Sequence, residues 1–186
     1  MPGSGRGAPA APLPPSPRHD LRPRAPSPPG PSPILTLRIS VRGLYDSWTH
    51  CQRLADYIAR FVASDRFDPE QLTTRLSTYL NEVLEYVFRA RPSEGEIVVE
   101  VGRTDEHVIA ELTIPTDEAL AQRLRDDLGR VAPADARARY EAEFESMILR
   151  PPAEVGLLEL VALHGVELAL REGDGVGVIV LTVPHE

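Results

Sequence analysis

Between residues 72 and 89, seven apolar side chains, Leu72, Leu76, Leu80, Val83, Leu84, Val87 and Phe88, return at steps of three and four. A period of 3.6 places them on one stripe, so this stretch reads as a long helix that must bury one side. Asp68-Pro69-Glu70 supplies an N-cap, a first-turn proline and a first-turn acid, and Pro92 ends the run. Asn81, Glu82, Glu85 and Arg89 fall off the stripe. They form either the wall of a site or an ordinary solvated face. Glu85 and Arg89 stand at i and i+4, which predicts an intrahelical ion pair worth about 0.2–0.5 kcal/mol.

The elements around that helix follow from pattern. Leu35, Leu37, Ile39 and Val41 alternate with Thr36, Arg38, Ser40 and Arg42, a half-buried strand broken by Gly43. Leu44, Trp48, Cys51, Ala55, Ile58 and Val62 make the buried stripe of a helix over 45–63. Two antiparallel strands are expected over 96–102 and 107–114, ended by Pro115. Helices over 116–131, with Leu120, Leu124 and Leu128 aligned, and over 134–149, with Tyr140, Phe144, Met147 and Ile148 aligned, are split at Pro133. After Pro151-Pro152 come a helix over 154–166 and a strand over 167–171. The Gly173-Asp174-Gly175 turn then leads into an apolar strand over 176–183, closed by Pro184. This order predicts an α/β (α+β) two-layer sandwich, a mixed, mostly antiparallel sheet covered on one face by helices.

Residues 1–33 are Pro, Ala, Ser, Gly and Arg with no apolar run, and read as a disordered Pro/Arg-rich arm ahead of a domain over 34–186. The arm holds four arginines against Asp20, a net +3 that leaves −11 on the remainder of the formal −8. Such a domain is a poor match to a phosphate backbone, so no nucleic-acid partner is expected. No stretch is long and apolar enough to span a bilayer, and no membrane partner is expected. Every basic residue other than the five histidines is arginine, which excludes chemistry that needs a lysine. The single Cys51 lies on the buried stripe and reads as an inert thiol of a reducing, cytoplasmic protein. His50 is about 100° away around the helix and is no base for it. His164 aligns with Val161 and Leu168 and reads as a core histidine; no second ligand stands at metal spacing to it, and His107 and His185 carry no motif.

The order of elements and three local stretches resemble the histidine-kinase-like ATPase fold, the GHKL or Bergerat fold of sensor kinases, anti-sigma-factor kinases and small bacterial regulators. In that family the long helix carries a Glu followed four residues later by an Asn whose oxygen binds the phosphate-bridging Mg²⁺. Glu82 takes the acid position here and Tyr86 the Asn position. A neutral phenol is a poor ligand for a hard cation. The family's Asp-x-Gly-x-Gly turn, which holds the adenine, is reduced after Ile114 to Asp117 without its glycines. Its Gly-x-Gly-Leu loop, which holds phosphate, appears as Glu154-Val155-Gly156-Leu157, with Glu154 in the first glycine's place.

The resemblance therefore implies remnant nucleotide positions at Glu82, Tyr86, Asp117, Gly156 and Leu157, no metal site and no bound cofactor. It implies a non-catalytic regulator, a pseudo-ATPase acting through a protein partner in bacterial signalling, with self-association through the first helices as a further expectation. Two other readings stand beside it. One is an ATP-binding serine kinase or ATPase of the anti-sigma-factor type, with ATP and Mg²⁺ as cofactors and Glu82 as general base. The other is an acidic scaffold that binds partners through its proline-rich arm.

Overall fold

Ser40 ends the first strand by turning its hydroxyl onto the backbone N–H of Gly43, 3.0 Å away, and so caps a short helix. The computed structural model describes residues 32–66, 68–92, 94–131, 133–149 and 154–185, without the side chains of 133 and 143–149. The elements run β1 (Leu35–Ser40), α1 (Val41–Tyr45), α2 (Thr49–Ala63), α3 (Pro69–Ala90), β2 (Glu96–Arg103), β3 (His107–Pro115), α4 (Glu118–Arg130), α5 (Pro133–Leu149), α6 (Val155–His164), β4 (Glu167–Gly173) and β5 (Val176–Pro184). Residues 1–31 of the expected arm, Pro151-Pro152, and the side chains of Phe144, Met147 and Ile148 lie outside the described residues.

The sheet has the order β1-β2-β3-β5-β4, and each neighbouring pair is antiparallel. One register row crosses all five strands, from Leu37 through Val99, Leu112 and Ile179 to Leu170. Its three central members are fully buried, because alternate side chains of each strand point to the helical layer. The next row, Thr36, Glu100, Glu111, Val180 and Ala169, points the other way. The two-layer sandwich expected from the element order is therefore present.

The start of the domain differs from the sequence reading. Val41 is not the last residue of β1 but the first of α1, and it is buried there with Leu44. Gly43 lies within α1, and the helix expected over 45–63 is broken between Tyr45 and Thr49. The strand period cannot show this, because Val41 extends the alternation while Ser40, an N-cap residue, stops it. Trp48 consequently leaves the core: it is 42% exposed, edge-on to Phe88 with ring centroids 5.0 Å apart and under the Arg89 guanidinium.

Helix α3 buries Leu76, Leu80, Val83, Leu84 and Val87 as expected, but also Tyr79 and Tyr86. It has neighbours on two sides: α2 packs along one flank and α6 along another. On the α2 flank Ser77 donates to Asp56 at 2.5 Å and Cys51 Sγ to the Leu84 carbonyl at 3.7 Å. His164, expected in the core, is exposed at the end of α6 and lays its ring against Tyr79 at 5.2 Å.

Candidate functional site

Glu82 sits on α3 where α6 crosses it. The crossing is close because residue 156 has no side chain: a Cβ there would land on the Glu82 carboxylate. Gly156 thus leaves room for the Glu82 carboxylate at the crossing, and its backbone conformation does not itself call for glycine. Glu82 is half-buried, and burial, then the charge of Glu85, raises its pKa above the ordinary carboxylate value; Arg89 works against this and Glu159 adds to it. Glu85 accepts from Asn81 Nδ2 at 2.7 Å and pairs with Arg89 at 3.9 Å, the ion pair expected from spacing. The Asn81 Oδ1 atom is buried without a partner among the described residues.

Tyr86 lies one turn further along α3 and points inward. Its hydroxyl donates to Asp127 Oδ2 at 2.9 Å. Arg130, one turn beyond Asp127 on α4, donates to Asp127 Oδ1 at 2.5 Å and through Nε to Glu154 at 2.8 Å. Asp127 and Glu154 are both buried, and a buried carboxylate needs such partners. Burial and then the Asp127 carboxylate push the Tyr86 phenol far above its ordinary value. Asp127 is raised by burial, against the hydrogen bond from Tyr86. Burial works against the charge of Arg130, but Glu154 and Asp127 outweigh it and hold the guanidinium above its ordinary value. The four side chains form one satisfied network joining α3, α4 and the start of α6.

Of the five positions singled out in the sequence, Glu82 meets Gly156, and Leu157 is buried in the core. Tyr86 belongs to the separate Asp127 network. Asp117 is the N-cap of α4, its Oδ1 accepting from Leu120 N at 2.7 Å, a role that uses the carboxylate structurally. Glu154, read as an obstacle to phosphate, is a buried ion-pair partner. The residues missed were Asp127 and Arg130. A signal existed for the first: Leu120, Leu124, Asp127 and Leu128 fall at i, i+4, i+7 and i+8, which places an acid on the apolar stripe. Among the described residues, no three His, Cys, Asp or Glu side chains converge as a metal-binding set.

No family model and no curated protein matches the chain. Among solved structures it is similar to a chain of the SiaB-SiaC complex from Pseudomonas aeruginosa, with 14% identity over 82% of this chain and 91% of that one and a TM-score of 0.53. At that identity the likeness is one of fold.

Proposed function

We propose that this protein is a non-catalytic signalling regulator built on a degenerate histidine-kinase-like ATPase fold, and that it works by binding another protein. The observation that carries this reading is the Tyr86 network. Where the resemblance expects an amide oxygen for Mg²⁺, the side chain is a buried phenol that spends its proton on Asp127. A neutral phenol oxygen is a poor ligand for a hard cation, and this one is buried with its hydroxyl turned to Asp127. The donor set present does not fit Mg²⁺.

Two further observations support the same reading. Glu82, the residue that would serve as general base, rests on Gly156 of the expected phosphate loop, so a carboxylate lies where phosphate oxygens would approach. Glu154, at the first glycine position, is locked to Arg130. The similar solved chain belongs to a two-protein complex, which is the kind of action proposed here. Response regulators, phosphatases and small antagonists of anti-sigma factors are the partner classes the family resemblance suggests.

Isothermal titration with ATP and ADP, with and without Mg²⁺, tests the reading. The expected result is no binding at about millimolar nucleotide. Magnesium-dependent binding at about micromolar nucleotide would overturn it and favour a kinase with Glu82 as base.

A further inference from the structure

Tyr57 and Phe61 stand 54% and 46% exposed on α2, one turn apart. The rest of α2 is well used: Cys51, Ala55, Ile58, Ala59 and Val62 are buried beneath it. Scattered apolar residues on a surface need no explanation, but here two aromatics adjoin concave ground. A cavity of about 280 Å³ opens between Ile39, Leu44, Leu54 and Tyr57, and a shallow cleft of about 440 Å³ runs past Tyr57 and Phe61 between Arg53 and Arg60.

Those two arginines supply a second, independent feature. Arg53 and Arg60 are seven positions apart, two helical turns and about 10 Å along the axis, so they lie on the same side. Neither takes part in a hydrogen bond or ion pair among the described residues; Arg60 acts on Asp56 only through its field. Asp56 lines the same cleft between them, but its carboxylate accepts from Ser77 and Gln52, so in a chain with −11 outside its first 33 residues the two arginines leave a local excess of positive charge. An extended polyanion would be repelled by the remainder of the domain, whereas a compact pair of carboxylates would not.

The geometry points to the exposed face of α2 as the docking surface for a partner helix that lays apolar side chains along Leu54, Tyr57 and Phe61 and carries two carboxylates seven residues apart for Arg53 and Arg60. This rests on the protein-contact reading above and adds where and what the protein binds. A helix is the fitting shape because its i, i+3, i+4 and i+7 side chains match a ridge of the same period. The aromatics supply the buried anchors and the arginines set orientation and charge preference.

The test uses the full chain and a labelled, end-capped amphipathic peptide with leucines at i, i+3, i+4 and i+7 and two glutamates seven apart on the flank, read by fluorescence anisotropy. Control peptides replace the two glutamates by lysines or the leucines by serines. Binding of the glutamate peptide should exceed both controls by about tenfold or more, and Tyr57→Ala should remove about that factor. The double variant Arg53→Glu, Arg60→Glu should reverse the preference toward the lysine peptide, a reversal that mere loss of folding cannot give. No binding, or binding indifferent to charge or to Tyr57, overturns the proposal. So does a dimer in light scattering that Tyr57→Ala converts to monomer, since the face would then be occupied by a second copy. Nucleotide titration of the same samples keeps the two readings apart: ATP binding would sink the regulator reading without touching this surface, and peptide failure without ATP binding would do the reverse.

Discussion

The Tyr86 hydroxyl donates to Asp127 at 2.9 Å across the contact between α3 and α4, two helices brought together from positions 41 residues apart. This hydrogen bond makes a stability prediction. Tyr86→Phe keeps the ring and leaves a buried carboxylate short of one donor, which should cost about 1–3 kcal/mol. Tyr86→Asn, which restores the amide that the family resemblance expects, should cost more, about 3–5 kcal/mol, because it also removes a buried ring. Urea unfolding of both variants checks the order; Tyr86→Asn at or above wild-type stability would show that the network does not support the fold.

Gly156 and Glu82 form a pair whose coupling has a sign. Gly156→Ala gains helix propensity, up to about 1 kcal/mol, but its methyl group displaces the Glu82 carboxylate. That carboxylate is on a flexible, half-buried side chain that can swing outward, at a cost of about the same size. The single variant should therefore be near neutral. In a Glu82→Ala background nothing is displaced, and Gly156→Ala should stabilise by about 0.5–1 kcal/mol. A double-mutant cycle by chemical denaturation measures the difference, and zero coupling would contradict the close crossing of α6 over α3.

Much of the fold was legible because it rests on period. The alternation in β1 and the stripes of α3 and α4 each define a face, and a face must be buried, while glycine turns and prolines bounded the remaining strands. Val41 and Trp48 were not legible, since a single capping serine outranked four residues of alternation. The site was legible only in part. Glu82 and Gly156 were marked by their positions in the resembling motifs, and their contact then followed from packing. The Tyr86, Asp127, Arg130 and Glu154 network was not marked, because a hydrogen bond across 41 residues leaves no local spacing. Its one trace was Asp127 on an apolar stripe. Tyr86 itself lay off the stripe that defined α3, and is buried on a second flank of the helix, where its hydroxyl meets Asp127 of α4.

Glu82 also predicts a pH dependence. Its pKa is raised above the ordinary 4.5 by burial and by Glu85, so the folded protein keeps this proton at pH values where the unfolded chain has lost it. Stability from this group is present below about pH 4.5, falls as pH rises through the raised value, and is level above it. Asp127, also raised by burial, contributes a slope of the same sign. Glu82→Gln should therefore be more stable than wild type near neutrality, with the difference shrinking on acidification. Urea midpoints for the two proteins across that range test it; a difference that grows toward acid would mean that Glu82 is stabilised as the anion.

Cys51 gives a readout of how the helical layer opens. Burial first, and then the charge of Glu85, pushes its thiol up to about 11, and Sγ is enclosed where α2 meets α3, facing the Leu84 carbonyl. A thiolate is the reactive form, so both its scarcity and its enclosure protect it. In the native protein at mildly alkaline pH, an aromatic disulfide reagent should leave Cys51 unmodified on the timescale in which the denatured chain reacts fully. Slow modification that does occur should proceed through opening of the α2 and α3 contact, whose cost approaches the global stability because Cys51 is in the central core. Tyr86→Phe, which weakens the far side of α3, should then speed modification by about tenfold for each 1.4 kcal/mol that it removes from unfolding stability. A modification rate unchanged in that variant would mean that α2 detaches alone, leaving α3 and its tyrosine network in place.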